Sequence, residues 1–207
     1  MTRIYVDTET TGLDPEKCSI FQLSGIIVHD GETEEFDFRM KPFRGDPIPP
    51  EVTEITGVTQ EELDTYPDQD VVFKQWIALL NKYINVKDYR GRAYFIGYNS
   101  DFDRRFIRAW HEFNGNKQMG WYFFFPDLDA MRLAAFYLVG RTGNLPNFKL
   151  GTVYKYFFGK DFEGAHDSMN DIRATKELFD YLAGEMLFKN MNTPTTPEIK
   201  TRVKKTT

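Results

Sequence analysis

The dipeptide Asp30-Gly31 stands between two strand-like runs, and that arrangement constrains the fold more than any other stretch of the chain. Asp-Gly favours the tight turn that joins antiparallel strands, because both of its residues accept positive φ. Before it, Ser19–Val28 is nearly continuous in apolar residues; after it, Glu35–Met40 alternates apolar with polar. A third run, Arg3–Glu9, is stopped by Thr10-Thr11-Gly12. The expectation is a three-stranded antiparallel meander at the start of the chain. Pro47–Pro50 then breaks the chain, and the hydrophobic period changes from two toward 3.6. Thr59-Gln60-Glu61-Glu62 reads as a capped helix start. Val71–Tyr83 carries Val72, Trp76, Leu79, Leu80 and Tyr83 at helical spacing. Strands are expected at Ala93–Tyr98 and Trp121–Pro126, and helices at Phe102–Phe113, Leu128–Val139, Lys149–Phe158 and Ser168–Phe188. This order describes an α/β protein: a hairpin-linked edge, then crossover-linked strands, with helices on the faces of a mixed sheet.

A length of 207 residues suits one such domain with a full-sized core. Hydrophobic residues make up 41%, with 19 Phe, which excludes a disordered chain. No apolar run approaches the ~20 residues that cross a bilayer. Met1-Thr2-Arg3-Ile4 opens directly into a strand rather than a signal peptide. The single cysteine, Cys18, excludes a disulfide framework and points to a reducing, cytoplasmic setting. The net charge of −5 argues at first against a passive nucleic-acid coat. It is unevenly spread. Residues 189–207 hold five basic residues and one acid in a Thr/Pro-rich stretch, which reads as a disordered basic tail behind a domain spanning residues 1–188. Glu51–Asp70 carries seven acids and no Lys or Arg, and reads as a solvated face.

Three pieces of sequence carry chemistry. Asp7 and Glu9 lie two apart on the first strand, so both point to one face about 6–7 Å apart. Two carboxylates so placed repel unless a cation sits between them; the plain alternative is a strand end running into solvent. Asp103 follows a strand-to-helix junction, Gly97-Tyr98-Asn99-Ser100-Asp101-Phe102-Asp103. At 100° per residue it shares a helix face with Ile107 and Trp110, while Asp101 reads as the N-cap. A first-turn acid also suits the helix dipole, but an unpaired inward carboxylate is costly. The third piece is His166-Asp167-Ser168-Met169-Asn170-Asp171. Ser168 and Asp171 fit a capping box, yet Asp171 shares its face with Leu178 and Leu182. Inward acids at the ends of core elements are economically explained by a site for divalent cations. All-oxygen ligands select Mg²⁺ or Mn²⁺, and four carboxylates suit two ions about 4 Å apart. His166, titrating near neutrality, is placed to take a proton from a water.

Asp7-Thr8-Glu9-Thr10-Thr11-Gly12, Tyr98-Asn99-x-x-Phe102-Asp103-x-x-Phe106 and His166-x4-Asp171 resemble the three motifs of the DEDD-type, DnaQ-like 3′→5′ exonucleases. The His-x4-Asp spacing resembles the histidine subgroup, which includes the proofreading epsilon subunit of bacterial DNA polymerase III, RNase T and oligoribonuclease. Ile48-Pro49-Pro50-Glu51…Thr56-Gly57-Val58-Thr59 and Leu145-Pro146-Asn147-Phe148-Lys149-Leu150 are also similar to the family, and the likeness spans residues 3–182. The resemblance implies a ribonuclease H-like fold with a five-stranded mixed sheet flanked by helices. It implies that Asp7, Glu9, Asp103 and Asp171 hold two metal ions, with Asp7 bridging, and that His166 is the general base. Thr10, Thr11 and Leu13 are expected to line the 3′-terminal nucleotide, with Leu13 or Phe102 packing on a base or sugar. The second motif often begins His-Asn; here it is Tyr98-Asn99, and both residues are expected at the substrate. The expected activity is removal of nucleoside 5′-monophosphates from single-stranded DNA 3′ ends, in proofreading or repair. The expected partners are nucleic acid and a DNA polymerase or other replication or repair protein, with no membrane. The alternatives are an RNA-trimming or oligoribonucleotide exonuclease of the same fold, and a catalytically silent nucleic-acid-binding scaffold. Arg141–Lys160, with Arg141, Lys149, Lys155 and Lys160, and the basic residues of Lys87–Arg108 are candidates for guiding the strand.

Overall fold

The computed structural model describes residues 1–140, 145–162 and 167–191. Three strands, β1 (Arg3–Thr10), β2 (Ile20–His29) and β3 (Glu32–Arg39), form the expected meander. Asp30 and Gly31 both take positive φ at its second turn, 50° and 92°. β4 (Tyr94–Gly97) and β5 (Leu128–Asp129) complete a sheet of order β3-β2-β1-β4-β5. β1, β2 and β3 pair antiparallel, whereas β1–β4 and β4–β5 pair parallel. This is the α/β architecture with a five-stranded mixed sheet, consistent with the ribonuclease H-like arrangement.

Helices cover both faces. α1 (Pro50–Thr56) and α2 (Gln60–Leu63) are short, α3 runs Gln69–Tyr83, α4 Ser100–Phe113, α5 Met119–Tyr122, α6 Ala130–Tyr137, α7 Leu150–Phe158 and α8 Ser168–Met191. Alternation along β1 splits the core. Ile4 and Val6 pack with Trp76, Phe106, Ile107 and Trp110 from α3 and α4. Tyr5, from the opposite face, packs with Ile172 and Phe179 of α8. Gly25 lies opposite Val6 in the register, and a Cβ there would meet the Tyr5 carbonyl oxygen at 2.3 Å and Phe36 Cζ at 2.4 Å.

Several local expectations are corrected. Trp121–Pro126 is not a strand: Trp121 belongs to α5 and Phe123 makes only an isolated bridge to Ala93. The fifth strand is the two residues Leu128–Asp129, so the following helix begins at Ala130 rather than Leu128. Phe-rich composition mimics a continuous strand there, but the chain pairs with β4 and its approach only at Phe123, opposite Ala93, and again at Leu128–Asp129. The acidic Glu51–Asp70 block does present its carboxylates to solvent, while Val58, Leu63 and Tyr66 within it are buried against Phe21. α8 continues to Met191, three residues past the expected domain end. The rest of the expected tail, 192–207, lies outside the described residues. Among the described residues no helix is long and apolar enough to cross a membrane.

Candidate active site

The C-terminal end of β1 meets the N-termini of α4 and α8, one on each side of the sheet. Asp7 and Glu9 occupy the face toward α8, opposite Ser24 and Gln22 of β2. The register shifts between Glu9 and Thr10. Such a bulge re-aims the chain at the sheet edge, as is common beside functional sites. Thr8 points to the other face, toward α4. Its backbone N–H and its hydroxyl both donate to Asp103 Oδ1, at 3.0 and 2.8 Å.

Asp103 reaches that position through a tight junction. Gly97 permits it, since a Cβ there would meet Ser100 at 3.1 Å and the Val6 carbonyl at 3.3 Å. Asn99 is the N-cap of α4 and takes the left-handed conformation, φ 64°, which Asn tolerates better than most residues. Its N–H donates to Asp129 Oδ1 at 3.1 Å. Asp101 is therefore not the cap. It lies inside the first turn and pairs with Arg104 at 2.5 Å. Asp103 itself is 3% exposed and shares its helix face with the buried Ile107 and Trp110.

On the other side, α8 brings Asp171 and Ser168. The Ser168 hydroxyl donates to Asp7 Oδ2 at 3.1 Å, so Ser168 does not act as the expected cap. Asp167 does, accepting from the Asn170 N–H at 3.1 Å. The capping reading had the right chemistry one residue late, because Ser168 is the first helical residue. α8 is held over the sheet by Asp180, which accepts from Arg3 at 2.9 Å and from the Tyr5 hydroxyl at 2.7 Å. Arg173 makes a two-pronged pair with Glu35 of β3, at 3.0 and 2.6 Å.

The acids feel one another. Burial first, then the Asp171 charge, push Asp7 up to about 7. Burial, then Asp7, Asp171 and Asp167, push Glu9 up to about 8. Burial and Asp7 hold Asp103 well above the usual carboxylate range, although the Thr8 hydrogen bonds oppose this. Among the described residues, no three ligand-type side chains are drawn close enough together to hold an ion as they stand. The donor chemistry nevertheless fits a hard divalent cation: all-oxygen, anionic and mutually repelled, so that a cation relieves the strain.

The remaining expected residues are placed as follows. Thr10 and Thr11 are buried, and their hydroxyls are used within the protein: Thr10 donates to the Gly12 carbonyl at 2.7 Å and Thr11 to Asp46. Asp46, which also accepts from Ser19, ties this loop to the chain after β3 and carried no signal in the sequence. Leu13, by contrast, is 85% exposed. Phe102 is partly buried and tilts against Phe106 at 4.9 Å. Tyr98 donates its hydroxyl to the Phe148 carbonyl at 2.6 Å, and burial and the Asp129 charge raise its pKa. His166 and Arg141 lie outside the described residues. Lys149, Lys155 and Tyr156 line a cleft of about 660 Å³ that reaches Asp171.

Comparison with known proteins places this arrangement. The exonuclease family model of the RNase T type matches residues 4–179. The chain is 30% identical over 179 residues to the PolC-type DNA polymerase III of Thermotoga petrophila, covering 86% of the chain and 12% of that protein. It is 26% identical over 190 residues to the DNA polymerase III epsilon subunit of Aquifex aeolicus, covering 91% of the chain and 83% of that subunit. It therefore spans about an eighth of the length of the PolC-type relatives. Among solved structures, Escherichia coli exonuclease I bound to a dT13 oligonucleotide superposes with a TM-score of 0.70 at 22% identity, over 92% of this chain and 43% of that one. The cell-death related nuclease CRN-4 gives 0.70 at 16% identity, over 89% and 64%.

Proposed function

This chain belongs to the DEDD-type, DnaQ-like exonuclease family, and from that premise we propose that it is a metal-dependent 3′→5′ exonuclease acting inside the cell on single-stranded DNA ends. The observation that supports this is electrostatic: where β1 ends between two helix N-termini, Asp7 feels Asp171, Glu9 feels Asp7 and Asp171, and Asp103 feels Asp7, and burial with these charges holds Asp7, Glu9 and Asp103 far above their ordinary pKa. These four side chains would hold two ions, Mg²⁺ or Mn²⁺. When bound, such ions lower the pKa of a water and offset charge on the leaving oxygen.

The chain's own groups do the rest. The Thr8 N–H and hydroxyl fix Asp103, and the Ser168 hydroxyl fixes Asp7, so the ligand directions are set before substrate arrives. His166 takes the proton from the water that attacks the last phosphate, the P–O3′ bond breaks, and a nucleoside 5′-monophosphate leaves. Leu13 and Phe102 border the terminal nucleotide together with Thr10, Thr11, Tyr98 and Asn99, while Lys149 and Lys155 contact phosphate along the cleft beside Asp171. Coverage of 83% of an epsilon subunit supports a role beside a DNA polymerase, with residues 1–188 as the catalytic domain.

The test is degradation of 5′-labelled single-stranded DNA, duplex DNA and RNA in Mg²⁺ or Mn²⁺, beside Asp171→Ala. A ladder shortening from the 3′ end of single-stranded DNA, absent in the variant, is expected. Internal cuts, shortening from the other end, or an active Asp171→Ala would overturn the reading. Preference for RNA would move it to the RNA-trimming alternative.

A further inference from the structure

A second cavity, of about 380 Å³, opens between α4 and the segment around Phe123–Phe125. That volume lies in the range of small-molecule sites, about 300–1,000 Å³. None of Asp7, Glu9, Asp103 and Asp171 lines it. α4 serves the two sites with different faces. Asp103, Ile107 and Trp110 turn to the core, whereas Arg104, Arg108 and His111 recur at i, i+4 and i+7 about 100° around the helix.

The lining is cationic. Arg92, Arg104, Arg108 and Lys117 stand against one carboxylate, Glu112. Arg104 is already held by Asp101 at 2.5 Å and Asp127 at 3.2 Å. Among the described residues the other three cations make no ion pair. Arg92 lies over the Tyr89 ring at 4.6 Å, and its Nε is buried with no hydrogen-bond partner. His111 is wholly buried at the base of the cavity. Trp76 Nε1 donates to its Nε2 at 3.0 Å, which leaves the proton on Nδ1. Nδ1 faces the Asn116 side chain, which raises the His111 pKa against the effect of burial. The buried, unpaired Arg92 Nε–H is costly unless an acceptor arrives, and the exposed Arg108 and Lys117 beside it favour an acceptor with negative charge. At the rim, Phe125 is 79% exposed beneath the Arg104 guanidinium, 5.9 Å from its centroid, and offers a free aromatic face.

We propose that this cavity is a second nucleotide site: Arg92, Arg108 and Lys117 bind a phosphate, and a nucleobase stacks on Phe125. The nucleotide comes either free, as a mononucleotide, or as a unit of a strand passing over α4. Calorimetric titration in EDTA separates the two, with inorganic phosphate, thymidine 5′-monophosphate and a dT12 oligonucleotide as probes. Without divalent metal its outcome is independent of whether the protein cleaves anything. Arg92→Ala should weaken binding about tenfold and Arg92→Ala/Lys117→Ala about a hundredfold, while Arg92→Lys, which keeps the charge but lacks Nε, falls between Arg92→Ala and the wild type and Lys74→Ala on α3 changes nothing. This pattern with the monophosphate assigns a free nucleotide; with dT12 alone, a strand. Unchanged melting midpoints of the variants exclude misfolding as the cause. The proposal is overturned if the wild type binds no probe at millimolar concentration or the arginine variants bind as the wild type does. It also falls if Asp7→Asn abolishes binding while Arg92→Ala does not.

Discussion

Thr8 is a plain strand residue in the sequence, yet it makes two of the hydrogen bonds that hold Asp103. Thr8→Val keeps the shape and the backbone donor but leaves a buried carboxylate oxygen short of one partner. It should cost about 1–3 kcal/mol in urea denaturation and lower exonuclease rate, with Thr8→Ser restoring both. Asp7 behaves in the opposite sense. Its carboxylate is raised to about 7 by burial and by Asp171, so part of its folded-state energy at neutral pH is repulsion. Asp7→Asn should raise the melting midpoint of the metal-free protein at pH 8 by several degrees, for a gain of about 2 kcal/mol, while abolishing exonuclease activity. A lowered midpoint in differential scanning calorimetry would show that the acid set is not strained. The two acids of β1 were legible from their spacing, and Asp103 from its helical phase. Thr8 and Ser168 were not, because a hydroxyl becomes informative only when a partner 95 or 161 residues away is brought beside it.

At the scale of elements, the meander was legible because a two-residue turn and alternating burial are local properties. β1, β2 and β3 lie where the patterns place them, within a few residues. β5 was not legible. Two residues carry no periodicity, and the Phe-rich stretch before it imitates a strand that the structure spends on α5 and an isolated bridge at Phe123. Within β2, Gly25 has no local reason to be glycine; the reason is Tyr5 and Phe36 on the neighbouring strands. Gly25→Ala should destabilise the sheet by about 3 kcal/mol or more, read as a fall in the urea midpoint, since backbone cannot yield to a Cβ at 2.3 Å. Asp167→Ala removes the cap of α8 and should cost about 1 kcal/mol by the same measure. Because α8 carries Asp171, its loosened first turn should lower exonuclease activity as well.

For the whole molecule, the buried contact between α3 and α4 sets a response to acid. His111 accepts from Trp76 and lies edge-on to Phe73, and burial depresses its pKa to about 4. The unfolded chain binds that proton near 6.5, so between pH 6.5 and 4 the unfolded state holds more protons than the folded state. The contribution of His111 is therefore complete above pH 6.5 and is lost as pH falls toward 4, by about 3 kcal/mol at most. Urea midpoints measured from pH 7 to 4.5 should fall less steeply for His111→Gln than for the wild type; equal slopes would remove His111 from this role. The net charge of −5 also reads differently at this scale. The acids gather in the Glu51–Asp70 face and at the end of β1, while cations gather along α4 and α7, so an acidic chain still offers local basic surface to a phosphate. By itself the sequence determined the α/β class, the meander, the inward direction of Asp103 and the family, all of which rest on short-range periodicity and motif spacing. Only the tertiary structure decided which hydroxyls hold the carboxylates, where the fifth strand lies, and that one face of α4 lines a cationic cavity beside the unpaired Arg92 Nε. Those features depend on contacts between distant residues, and a local pattern of amino acids does not encode the direction from which a distant neighbour arrives.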